Sequence, residues 1–360
     1  MTEAKTDSSL VSYDISSIGR LREKVPAALA IGGKTREMFA GYLAAAHANA
    51  LKISVNNVRD TALSRMALTF ADFGDSAAAI KALSDISNAN PFFDTFKYVA
   101  EKVGNSKSYV SAMSLASRLQ SETERDAFLA ALASGVAEQG LFAESAALAD
   151  KLRDTKAKNF AMAEILRISI EKKDSKGVAN AASRMDFSSL EFLDQLAGDS
   201  FEKTSSDDEK KARQLVCVAE KIGTFDKSSA LKFIECAVKL ADNFDISKTA
   251  LFSDISGKIA VCMANLGKAS DALKYLNGNI YRSDIYESFK NICAVASALE
   301  SKEEKLRAFA VAANICDSLK DPSNPALRAC SAVSLACAVK KAGLERANEV
   351  SILAPFLPVL

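Results

Sequence analysis

Seven cysteines, one histidine and one Gly-Gly-Lys-Thr run carry most of the reactive chemistry available to this 360-residue chain. As thiolates, Cys217, Cys236, Cys262, Cys293, Cys316, Cys330 and Cys337 could ligate a metal, yet no two form a C-x-x-C pair or another metal-ligand spacing. Their odd number and their setting in apolar runs such as Leu215-Val216-Cys217-Val218-Ala219 predict small buried thiols in a reducing, cytoplasmic compartment. His47 is the only side chain whose ordinary pKa lies near neutrality. It follows Ala44-Ala45-Ala46 on a helical pattern with no acid three or four residues away, which predicts a packed imidazole rather than a general base. Gly32-Gly33-Lys34-Thr35 matches the end of a phosphate-binding loop, but the upstream glycine would have to stand at Ala28 and no strand precedes it. Asp207-Asp208-Glu209, after Thr204-Ser205-Ser206, reads as an N-cap and an acidic first turn that favours the helix dipole. Glu303-Glu304-Lys305 and Lys340-Lys341 read as solvated helix faces. No nucleophile with a base, no paired carboxylates in a cleft and no metal shell emerge, so the expected catalytic, cofactor-binding and metal residues are none and the chain is expected not to be an enzyme.

The elements that would have to position any site are helices. Gly at 15, Pro at 6, no Trp and 49% hydrophobic residues describe an α-rich chain with enough apolar surface for a large core. Lys+Arg of 46 against Asp+Glu of 45 leaves a net charge of +1, with no excess to neutralise a phosphate backbone, so nucleic acid is not an expected partner. The start, Met1-Thr2-Glu3-Ala4-Lys5, has acids where a secretory signal needs a basic region, and none is expected. No stretch of 18 residues is free of charge, and the apolar run 352–360 is broken by Pro355 and Pro358, so no membrane span is expected.

Self-similarity dominates the first half. Arg59, Asp60, Leu63, Ala67, Ala71, Gly74 and Ala77 reappear 66 positions on as Arg125, Asp126, Leu129, Ala133, Ala137, Gly140 and Ala143. Halving the offset to 33 aligns four first-helix faces: Leu63/Met66/Ala67/Phe70/Ala71, Phe96/Val99/Ala100/Val103/Gly104, Leu129/Leu132/Ala133/Val136/Ala137 and Met162/Ile165/Leu166/Ser169/Ile170. Second helices follow with Ile80/Leu83/Ile86, Met113/Ala116/Leu119, Ala146/Ala149/Leu152 and Ala179/Ala182/Met185. Gly74-Asp75, Gly104-Asn105-Ser106, Gly140 and Asp174-Ser175 stop one helix and cap the next.

These units resemble tetratricopeptide-type helical hairpins, through Leu63, Met66-Ala67, Phe70, Ala79, Leu83 and the closing Pro91. They depart from that pattern in a period of 33 rather than 34, in Ile86 where a small residue is usual, and in lacking a closing Pro in the later units. The resemblance implies an all-α superhelix, an α-solenoid of antiparallel hairpins of roughly 33–40 residues whose first helices line a concave groove. Carried over position by position, it places Ser64/Leu68, Lys97/Glu101, Ala130/Ser134 and Ala163/Arg167 in that groove as partner-binding residues. No Asn stands among them and Glu101 would repel a carboxylate, so the family's grip on C-terminal carboxylates is not expected.

Past Asp186 the register slips, since 33 further on the buried set would become Gln195, Gly198, Asp199, Glu202 and Lys203. Ile259/Ala260/Met263/Ala264, Val295/Ala296/Leu299 and Leu335/Ala336/Val339 then repeat at steps of 36 and 40, with Asp321-Pro322-Ser323-Asn324-Pro325 as one longer connection. The expected organisation is an N-terminal helical cap over 1–58, a first array over 59–204 and a second, less regular array over 205–360. The expected function is a non-enzymatic scaffold, adaptor or chaperone-like subunit that binds another protein's helix or peptide. An all-α enzyme with a site in the second array, and a structural subunit of an assembly, are the alternatives.

Overall fold

The computed structural model describes residues 22–30, 33–103, 106–185, 196, 207–244, 249–280, 283–318 and 325–344. Among them the ordered elements are α-helices and short 3-10 turns, with no strand. The chain divides into two compact units, Met1–Ser189 and Leu190–Leu360. The boundary expected at 204/205 lies outside the described residues, as do Gly104-Asn105 and the connection over 319–324.

In the first unit a helical segment over 22–30 leads to α1 (Gly33–Ala50), α2 (Asn56–Phe73), α3 (Ser76–Ser84), α4 (Phe93–Lys102) and α5 (Ser106–Met113). There follow α6 (Glu122–Glu138), α7 (Phe142–Ala149), α8 (Thr155–Glu171) and α9 (Ser175–Ala182). Hairpins 1 to 4 are α2/α3, α4/α5, α6/α7 and α8/α9. The first helices of hairpins 1, 3 and 4 begin at residues 56, 122 and 155, and their second helices at 76, 142 and 175, so the period of 33 is a period of the fold. Each first helix packs on its own second helix or on the next first helix, α2 on α4, α4 on α6 and α6 on α8, which makes one layer of first helices.

The same caps recur at each turn. Gly74 (φ 84°), Gly140 (φ 80°) and Lys173 (φ 53°) stand 66 and 33 apart at the ends of α2, α6 and α8. Each is the left-handed residue of a Schellman turn, in which the next N–H reaches back five residues: Asp75 to Phe70 O at 2.9 Å, Leu141 to Val136 O at 3.3 Å, Asp174 to Ser169 O at 2.9 Å. Asp75 and Asp174 then accept from the N–H groups of Ala78 at 3.0 Å and Gly177 at 2.6 Å, capping α3 and α9.

Burial follows the predicted stripes with displacements, among them Met113 and Ala179, where Ala112 and Val178 are buried instead, and Leu129. Leu63, Met66, Ala67, Phe96, Leu132, Ala133, Met162, Ile165 and Leu166 are each 0% exposed. Leu129 is only half-buried, because Phe128 turns inward in its place. Residues 33–50, inside the expected N-terminal cap over 1–58, share a register with the hairpins. His47, Ala50 and Ile53 fall 33 before Ile80, Leu83 and Ile86, and the first two are buried with Phe39 and Leu43, so α1 continues the second-helix register one hairpin earlier.

The second unit comprises α10 (Asp207–Gly223), α11 (Lys227–Asp242), α12 (Thr249–Asn265), α13 (Ala269–Gly278), α14 (Ile285–Ala298), α15 (Lys302–Ser318) and α16 (Pro325–Lys341). From α12 to α14 to α16 the starts step by 36 and 40, as the sequence predicts. Ile259, Ala260, Val295, Ala296 and Leu335 are all 0% exposed, around Phe289 and Phe309. Asp207, Asp208 and Glu209 form the acidic first turn of α10, but Glu209 is buried rather than solvated.

Candidate functional site

The partner-binding residues read from the sequence fall on four consecutive first helices, α2, α4, α6 and α8, and the structure gives them different standings. Ser64 and Ala163 do not offer surface: Ser64 is 6% and Ala163 1% exposed. The Ser64 hydroxyl lies 2.7 Å from that of Thr95 on α4, so it serves the helix–helix contact instead of facing a groove. Leu68, Ala130 and Ser134 are half-buried, and Lys97 and Glu101 are exposed one turn apart on α4. α6 runs close to this pair, since a Cβ at Gly135 would lie 2.4 Å from the Glu101 carbonyl oxygen and 2.8 Å from that of Ala100. Ser134 therefore neighbours Glu101 across the contact.

Most other charges on these helices are already matched. Arg167 donates to Glu164 at 2.6 Å and to Glu171, on its own helix, and these two carboxylates, Glu164 foremost, raise its pKa. Arg22 and the Tyr98 hydroxyl both donate to Asp72, and the Arg22 guanidinium also lies 5.2 Å over the Tyr98 ring. Burial first, and then Asp72, pushes the Tyr98 hydroxyl above its ordinary pKa. Lys172 donates to the Glu138 carbonyl at 2.8 Å. Lys97 and Glu101 have no side-chain partner among the described residues, and neither do the exposed Asp94 on the same helix and Lys156 on α8.

Two further constellations escaped the sequence reading. His47 is 8% exposed, with its Nε2 3.3 Å from an Asp85 carboxylate oxygen and its ring edge-on to Phe70 at 5.9 Å. Burial is the largest cause of its lowered pKa, reinforced by Lys81 and opposed by Asp85. Asp85 lies 38 positions away, outside any same-helix window, and only the 33-residue register applied backwards to 47 would have pointed to it. The second is the repeated acid at 60 and 126. Asp60 is 3% exposed and accepts from the N–H groups of Ser87 and Asn88, both at 3.0 Å. Asp126, at 6%, accepts in the same way from Arg153 at 3.1 Å and Asp154 at 2.9 Å. Each carboxylate ties the start of one first helix to the loop that leads into the next, a structural duty that the Asp60/Asp126 match already encoded.

The thiols are less uniform than expected. Cys262 and Cys293 are buried and Cys217 and Cys236 half-buried, whereas Cys337 is exposed, which corrects the reading of seven buried thiols; the side chains of Cys316 and Cys330 lie outside the described residues. Burial, with Glu220 and Cys217 adding to it, pushes the Cys262 thiol up to about 12, where it stays protonated and unreactive at neutral pH. Among the described residues no group of three or more His, Cys, Asp or Glu could hold a metal, and no helix is long and apolar enough to cross a membrane. No protein-family model matches the chain, and no curated protein does.

Proposed function

We propose that this chain is a protein-binding helical-repeat scaffold, adaptor or chaperone-like subunit of tetratricopeptide-like type, which takes a helix or extended peptide of another protein on the first-helix layer of α2, α4, α6 and α8. The observation that carries the reading is the pairing pattern on that layer. Most charges around it have internal partners, whereas Lys97 and Glu101, like Asp94 and Lys156, are exposed with no side-chain partner among the described residues, and the layer also carries half-buried Leu68, Ala130 and Ser134. A small, mildly polar strip of this kind suits a helix or strand of modest charge better than a strongly acidic or basic ligand. The buried polar groups elsewhere do structural work: His47 and Asp85 fill a junction, and Asp60 and Asp126 hold backbone N–H groups.

The test is site-specific photo-crosslinking of the full chain in its native lysate. A benzophenone side chain at position 97 should yield a discrete protein adduct, and one at position 81, on the second helix α3, should not. Adducts from position 81 alone would remove the first-helix layer as the docking surface.

A further inference from the structure

One sequence position recurs every 33 residues just past the second helices: 85 directly after α3, 118 at the end of the 3-10 turn (Ser114–Arg118) that follows α5, and 151 and 184 two residues past α7 and α9. Three of the four side chains there close the junction beneath them. Asp85 faces His47 at 3.3 Å. Arg118 donates to the carbonyls of Leu83, at 3.0 Å, and Ser84 at the end of the preceding second helix and to that of Ile86 just past it. Arg184 donates to the Asp150 carboxylate at 3.0 Å. Lys151 is the exception: it is exposed, its ammonium has no partner among the described residues, and it borders a cavity of about 460 Å³ between hairpins 2 and 3.

The chemistry of that cavity is uneven in a useful way. Its apolar wall includes Met113 and Leu129, the latter half-buried here although its counterpart Leu63 is 0% exposed. Arg153 and Glu122 pair with each other at its rim, Arg125 is committed to the carbonyls of Leu119 and Gln120, and Asp126 to backbone N–H groups. Three cations against two acids leave one positive charge in the lining, and Lys151 is the group that carries it unmatched.

We propose that this cavity is a binding site for a monoanionic amphiphile, a carboxylate on a short apolar stem, with the carboxylate at Lys151 and the stem against Met113 and Leu129. A dianion would keep one charge unmatched against the single net positive charge of the lining, and a cation would be repelled by that charge. A neutral ligand could accept a hydrogen bond from Lys151 but would forgo the ion pair. The volume falls in the range of about 300–1,000 Å³ usual for small-molecule pockets. The acid could come from a free metabolite or from the last residue of a peptide, and the experiment separates the two. The full chain is titrated calorimetrically with hydrocinnamate, with N-acetylleucine as the peptide-end probe, and with the neutral amide of each, in wild type, Lys151→Glu and Lys151→Met.

At least one acid should bind in the micromolar to millimolar range, about tenfold more tightly than its amide, and about tenfold more tightly than to either variant, because the charge-assisted contact is lost in each. The tighter of the two acids identifies the source. Because Lys151 is exposed, both variants should keep the wild-type helical spectrum and denaturation midpoint, so a lost heat reports on the site and not on folding. Absence of binding by both acids, equal binding of acid and amide, or undiminished binding to Lys151→Glu would each overturn the proposal.

Discussion

Asp126 shows how much a single buried carboxylate does here. Its two oxygens accept from the N–H groups of Arg153 and Asp154. In Asp126→Ala both donors lose their charged acceptor in a part-buried loop, and the chain should lose about 2–4 kcal/mol of stability. Asp126→Asn keeps one acceptor oxygen and should lose less. Urea denaturation followed by circular dichroism measures both, and equal midpoints for the two variants would contradict this role. His47 gives the pH counterpart. Its folded pKa lies below the ordinary 6.5, so the unfolded chain binds a proton that the folded chain releases. The stability from the neutral, buried imidazole is therefore present above about pH 6.5 and is lost as pH falls from there through the depressed folded value. Between about pH 7.5 and about pH 5.5 the wild type should lose more of its urea midpoint than His47→Met, which puts the side chain of position 113 at position 47. An identical loss in both would mean that the imidazole is not held neutral.

At the scale of elements, the repeating turn makes its own comparison. Lys173 adopts the left-handed conformation that Gly74 and Gly140 adopt at the equivalent places, and it does so with a Cβ. Left-handed backbone costs a side-chain-bearing residue about 1–2 kcal/mol, partly offset by the greater unfolded freedom of glycine. Lys173→Gly should therefore raise stability by about 0.5–1 kcal/mol, and a lowered thermal midpoint would contradict it. Gly135 is the opposite case. Alanine improves helix propensity by about 1 kcal/mol, but here its methyl would meet backbone oxygens of α4 that cannot rotate away. Overpacking costs about 1–3 kcal/mol, so Gly135→Ala should be net destabilising in chemical denaturation. Helix period, turn positions and both buried stripes were legible because apolar spacing and Gly punctuation are local signals. The inward turn of Phe128 in place of Leu129, and the burial of Ser64 and Ala163, were not, since each depends on how closely the neighbouring helix approaches. The membership of α1 was legible in principle in His47/Ala50/Ile53, but a polar residue on the stripe and the Gly32-Gly33 break disguised it.

At the scale of the whole molecule, two compact units of unequal regularity follow from the composition of their repeats. A strict period of 33 builds the first, and steps of 36 and 40 mark the better-defined part of the second. Among the described residues the interior of both is chiefly apolar. The central claim, that a protein partner docks on the first-helix layer, is tested most directly by its affinity for two charge variants of the full chain. Lys97→Glu with Ser134→Glu changes the charge of that layer by −3 near Glu101, whereas Lys81→Glu with Ser175→Glu makes the same change on the second helices α3 and α9. With the partner captured at position 97 as titrant, the first variant should bind at least about tenfold more weakly than wild type, a difference of about 1.4 kcal/mol, and the second should stay within about twofold. Equal weakening of both variants, or wild-type affinity in the first, would contradict the account.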